Sequence, residues 1–113
     1  MVLENGLLNA KRLLAGNASG QEYTKIVVGT SNTPVSGADT TITGAFEKDI
    51  TTVDYLDGFV QFNTLLLAGD PAMVIREIGL KNADGVLCHR KVIPDVNKVA
   101  GVNYNISYKI KVQ

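Results

Sequence analysis

The sequence predicts a mainly β protein, an antiparallel β-sandwich of about six to eight short strands with one N-terminal amphipathic helix. Three observations lead there. Val102, Tyr104, Ile106, Tyr108, Ile110 and Val112 alternate strictly with Asn103, Asn105, Ser107, Lys109 and Lys111. A period of two buries one face of a strand and wets the other. Two pairs of apolar stretches flank tight-turn signals, Asp57-Gly58 and Asn82-Ala83-Asp84-Gly85, the mark of hairpins. Leu3, Leu7, Ala10 and Leu14 recur at helical spacing near the start, which gives one apolar stripe.

Val2 to Ala15 reads as the helix. Lys11 and Arg12 suit its C-terminal dipole, Gly16 is its stop, and Gly6 weakens it. Beyond Gly20 the pattern turns to strands. Tyr23 to Val28 is rich in β-branched residues, Gly29 to Asp39 is a turn-rich loop, and Thr40 to Ala45 reads as a short edge strand. Ile50 to Leu56 pairs with Phe59 to Leu67, and Met73 to Leu80 pairs with Val86 to Ile93. Pro94 is expected to end that strand, because it cannot donate to a ladder. The alternating segment closes the chain. With no repeat and no second composition, residues 1–113 read as one domain, the helix at 2–15 and the sandwich at 23–112.

Eleven basic residues balance eleven acidic ones, which speaks against a nucleic-acid partner and favours association over repulsion. One cysteine rules out an internal disulfide and a multi-cysteine zinc site, and points to synthesis in a reducing cytoplasm. No apolar run approaches the ~20 residues that span a membrane. The N-terminus, with its early acidic residue and broken apolar run, does not read as a secretory signal.

Chemistry is sparse. Cys88 and His89 adjoin on a predicted strand, so their side chains point to opposite faces. A thiolate–imidazole pair needs hydrogen-bond reach. The residues read as a core thiol and a surface imidazole. Asn82 to Gly85 echoes a calcium loop, but Leu80 and Lys91 stand where oxygen ligands belong, so it reads as a turn. Arg76 and Glu77 point apart. Arg76 is expected near Glu47, Asp49 or Asp54, or across an interface. The glycine-rich loop lacks the Gly-Lys-Ser/Thr of a phosphate loop. The aromatics fall mostly in strand patterns. No catalytic residue, metal or cofactor is expected, and an enzyme such as a hydrolase using Cys88 is the weakest reading.

The order of segments adds a resemblance. "GLLNAKRLLAG" leads into "YTKIVVGTSNTPVSGADTTI", then "IREIGLKNADGVLCHRKV", and finally "VNKVAGVNYNISYKIKV". Over nearly the whole chain this resembles small structural, tail-fibre-like virion proteins of tailed bacteriophages, above all at Glu77 to Leu87. Lys81 stands where that group has an aromatic, and Cys88-His89 where it has small residues. The resemblance implies a non-enzymatic virion structural protein, made in the host bacterial cytoplasm. It implies association with copies of itself and with other virion proteins, as a tail, fibre or baseplate-adaptor component. The alternative is a capsid decoration protein on the head. A carbohydrate-binding adhesin module, with a glycan as partner, is a further alternative. Leu3, Leu7, Leu14, Arg76, Asn32, Pro34 and Val35 are the candidate interface residues.

Overall fold

A computed structural model describes residues 1–112. One helix, α1 (Glu4–Leu14), precedes seven strands: β1 (Tyr23–Gly29), β2 (Phe46–Asp49), β3 (Thr52–Leu56), β4 (Phe59–Leu66), β5 (Met73–Asn82), β6 (Leu87–Lys98) and β7 (Tyr104–Lys111). They form two antiparallel sheets, β2-β1-β5-β6 and β3-β4-β7. The two residues between β2 and β3 carry the chain from one sheet to the other. The main core lies between the sheets, where Ile26, Val28, Ile75, Ile78 and Leu80 meet Leu66, Ile106 and Tyr108. The period-two reading of β7 holds, with Ile106 and Tyr108 buried and Asn105, Ser107 and Lys109 exposed.

Both predicted hairpins form. Gly58 and Gly85 supply positive φ of 74° and 78° in their turns, which a Cβ would oppose. Asn82 is buried, and its Oδ1 accepts from the Asp84 and Val86 amides at 3.0 Å each. This carboxamide holds the turn as an Asx motif does.

Two strand expectations are corrected. Thr40 to Ala45 is not a strand, because Gly44 turns the chain at φ 59°. The edge strand is Phe46–Asp49. Pro94 does not end β6, which continues to Lys98. The ladder shifts register between Ile75 and Glu77, so three residues from Ile93 to Asp95 oppose Arg76 alone. Pro94 sits in that bulge on an edge strand, where no ladder bond is asked of it.

A third layer covers the outer face of the four-stranded sheet. Leu3, Val27, Ile42 and Leu87 form a second cluster, with Val35 against it. Residues 1–3 run along the first half of β6. Met1 N–H donates to Arg90 O at 2.9 Å, Arg90 N–H to Met1 O at 3.1 Å, and Leu3 N–H to Cys88 O at 2.9 Å.

The helix is shorter than 2–15, and the leucine stripe is not the face it turns to the sandwich. Its buried residues are Gly6 and Asn9. Of the leucine stripe, only Leu3 is buried, just before the helix, while Leu7 and Leu14 are exposed. The reason is local. A Cβ on Gly6 would lie 2.0 Å from Cys88 O, so the helix approaches β6 at a distance only glycine permits. Asn9 satisfies the backbone of Gln21, donating to its O at 2.8 Å and accepting from its N–H at 2.9 Å, and also accepts from Asn82 Nδ2 at 3.1 Å. Buried amides need such partners. Gly6 and Asn9 therefore take the inner face, and the leucines turn outward.

Candidate functional site

The Cys88–His89 pair was the strongest chemical motif of the sequence. Cys88 is fully buried, and its thiol faces Val86 O at 3.4 Å. Burial pushes the thiol up to about 11, so it stays protonated at neutral pH. A nucleophilic cysteine needs the opposite. His89 is not a surface imidazole. It is buried, meets Tyr23 OH through Nε2 at 3.1 Å, and is met edge-on by the Tyr23 and Tyr108 rings. Burial, and then the N-terminal ammonium, push it down to about 4. The two groups have separate partners, and both are neutral at pH 7.

The buried imidazole has a consequence for acid stability. The unfolded chain takes up this proton near pH 6.5, the folded chain only near pH 4. The stabilisation is complete above about pH 6.5 and is lost as the pH falls toward 4. It amounts to about 3 kcal/mol. Unfolding free energies measured across this window should fall with acid in the native chain and stay flatter in His89→Phe. Equal slopes would show that His89 is not buried neutral. Asp49 and Asp70, whose carboxyls lie below their usual range through Lys25 and through the Leu67 amide, act at lower pH.

A second polar cluster was not legible as a unit. Glu77 and Arg90 are both buried and pair at 3.0 Å, Arg90 Nε to Glu77 Oε1. Arg90 also donates to Asp39 at 3.1 Å and to Thr33 O at 3.0 Å, and Glu77 accepts from the Ser31 amide at 2.6 Å. Every contact outside the pair goes to the loop after β1. The cluster fastens that loop across the sheet, and its groups are satisfied by one another. Among the described residues, no group of three or more His, Cys, Asp or Glu is placed to hold a metal. No helix is long and apolar enough to cross a membrane.

The candidate interface residues divide accordingly. Leu3 is 0% exposed and belongs to the core, which corrects its place among them. Val35 is half-buried against the same cluster. Arg76 is half-buried and pairs with Asp95 at 3.2 Å and Thr30 O at 3.3 Å. Its expected partners are engaged elsewhere, Glu47 by Lys81, Asp49 by Lys25 and Asp54 by the Asn63 side-chain amide, which donates to it at 2.9 Å. Asn32 and Pro34 stand exposed on the fastened loop.

What remains is an apolar surface. Leu7, Leu8, Leu13 and Leu14 are all exposed, Leu14 at 90%. Ala10, one turn from Leu7 and Leu14, lines a hollow of about 340 Å³ with Val2, Tyr23, Val60, Phe62 and Ile110. Its walls are α1, the start of β1 and the inner face of the three-stranded sheet. At that end the sheet continues into a β3–β4 hairpin, where β3 is exposed at every position and Tyr55 at 86%. Leu8, Leu13 and Tyr55 were not among the candidates, because helical or strand spacing alone does not show which apolar side chains stay exposed. Leu7 and Leu14, two turns apart, lie on the same side of α1 as Ala10, and exposed apolar side chains gathered in one place are the usual mark of a partner.

No protein-family model matches the chain, and no curated protein or solved structure matches it significantly.

Proposed function

We propose that this chain is a non-enzymatic structural building block of a tailed-bacteriophage particle. It associates with copies of itself and docks on other virion proteins, as a tail, fibre or baseplate-adaptor component. The observation that carries the reading is the outward face of α1. Leu7 and Leu14, two turns apart on that face, are left to solvent while Gly6 and Asn9 face the chain's own sandwich. Burying them elsewhere would contribute on the order of 1.5–3 kcal/mol for each leucine fully covered. The zero net charge sets little repulsion against such association. The segment order quoted above supplies the virion context.

Two measurements test it. Sedimentation of the purified chain should show an oligomer, and Leu7→Ser with Leu14→Ser should weaken it at least tenfold with the far-ultraviolet spectrum unchanged. A chain that stays monomeric at millimolar concentration would remove self-association. Gold-labelled antibody on intact particles should decorate the tail or its tip. Regular label over the head would make it a decoration protein instead, and unlabelled particles would sink the virion reading.

A further inference from the structure

The three-stranded sheet has two free edges of opposite charge. β3 carries Asp54, with Asp57 in the turn after it, and β7 carries Lys109 and Lys111, all four exposed. None of the four forms an ion pair among the described residues. The edges of the other sheet are guarded. β6 is covered by residues 1–3 along its first half and bulged at Pro94 along its second. β2 has four residues, and its Glu47 and Asp49 are tied to Lys81 and Lys25 of its own sheet. β3 has neither proline nor lysine, two of the devices that ordinarily keep an edge single.

The backbone decides how these edges can join. Leu56 and Phe59 flank the two-residue turn and form its hydrogen-bonded pair, so Val53 and Tyr55 turn their amides to the free edge. On the far side, Val112 N–H donates to Gly58 O at 2.9 Å. Phe59 and Lys111 are therefore a non-hydrogen-bonded pair, and Lys109 and Lys111 turn their amides outward from β7. Register places Val53 and Tyr55 on the inner face with Phe62 and Val60, and Lys109 and Lys111 on the outer face with Gln61 and Phe59.

In an antiparallel seam, two directly opposed residues share a face and both bond across it. Inner Tyr55 cannot oppose outer Lys109 in that way unless one sandwich is turned inside out. In a parallel seam, a residue that bonds across lies beside one that bonds away. Tyr55 then sits beside Ile110, both inward, and Asp54 beside Lys109, both outward. Moving two residues along puts Asp54 beside Lys111, and moving two back leaves it beside Ser107, so charge selects the first two registers.

We propose that β3 of one copy adds in parallel to β7 of the next, head to tail, with Asp54 against Lys109 or Lys111. Beside β7 lies a cleft of about 300 Å³ lined by Met1, Val2, His89, Lys91 and Tyr108. Tyr55 of the neighbour enters it, and Lys91 and the N-terminal ammonium add to its positive charge. Such a contact is heterologous, so it closes as a ring or continues as a filament. The inference rests on the self-association proposed above and specifies its seam.

The test uses the full chain in sedimentation velocity. Val53→Pro removes a donor that faces the seam and leaves the β3–β4 ladder intact, so it should weaken association at least tenfold. Asp54→Lys and Lys109→Asp should each weaken it several-fold, and both in one chain should restore it. Tyr55→Cys with Ile110→Cys should form disulfides between copies on oxidation, with Cys88 silent because it is buried. If Val53→Pro fails to fold, the charge exchange and the disulfide decide. Wild-type association in both charge variants, with no disulfide between copies, overturns this seam and leaves self-association standing. A wild-type chain that is monomeric overturns both.

Discussion

Gly6→Ala should unfasten the helix and cost about 3 kcal/mol or more, a fall of roughly 15 °C in melting temperature for a domain of this size. The expectation runs against helix propensity, which favours alanine by about 1 kcal/mol. Packing decides the sign. The added Cβ would stand 2.0 Å from Cys88 O, 2.8 Å from its carbonyl carbon and 3.0 Å from its Cα. All three are backbone atoms at the start of β6, so none can swing aside as a side chain would. The helix must lift instead. That opens the fully buried Leu3 to water and strains the Asn9 bonds to Gln21 and Asn82. Thermal unfolding of Gly6→Ala beside Asn5→Ala, an exposed position on the same helix, separates the two effects. A melting point for Gly6→Ala at or above the wild type would mean that α1 does not dock on Cys88.

Arg90→Met should be as damaging, at about 3–5 kcal/mol, because it leaves the Glu77 carboxylate buried without its cation. This is a large share of the ~5–15 kcal/mol that holds an ordinary domain together. Replacing both partners, Arg90→Met with Glu77→Leu, should recover much of the loss, since no lone charge then remains in the core. The recovery will be incomplete. Glu77 also holds the Ser31 amide, and Arg90 holds Thr33 O and Asp39, so the loop loses its fastening in either case. Urea unfolding of the two single variants and the double completes the cycle. Strict additivity of the three free energies would show that the pair is not coupled.

Fold class was legible because β7 and the two hairpins follow local rules. Alternation in β7 fixes which face is buried whatever lies above it, and Asp57-Gly58 and Asn82 to Gly85 turn the chain by their own backbone preferences. The misreadings fall where a local rule met a neighbour. Pro94 looks like a stop until the bulge opposite Arg76 gives it a place on an edge. Thr40 to Ala45 looks like a strand until Gly44 turns it and Ile42 alone goes inward. Glu77 and Arg90 fall on the two strands of one predicted hairpin, so their neighbouring strands could be read, though a register shift beside the turn sets Arg90 opposite Gly79 and Glu77 opposite Val92. That both are buried could not, because it depends on a distant loop folding over them.

The site divides in the same way. By itself the sequence determined that α1 is amphipathic, that the charges cancel, and that Cys88 and His89 are poorly placed for a catalytic pair. Tertiary structure alone decided which face of the helix is covered. Hydrophobic spacing says that a leucine stripe exists, but not what it meets. The close approach to β6, permitted by one missing Cβ at Gly6 and anchored by the Asn9 carboxamide, turns Leu7 and Leu14 away from the chain's own core and toward solvent.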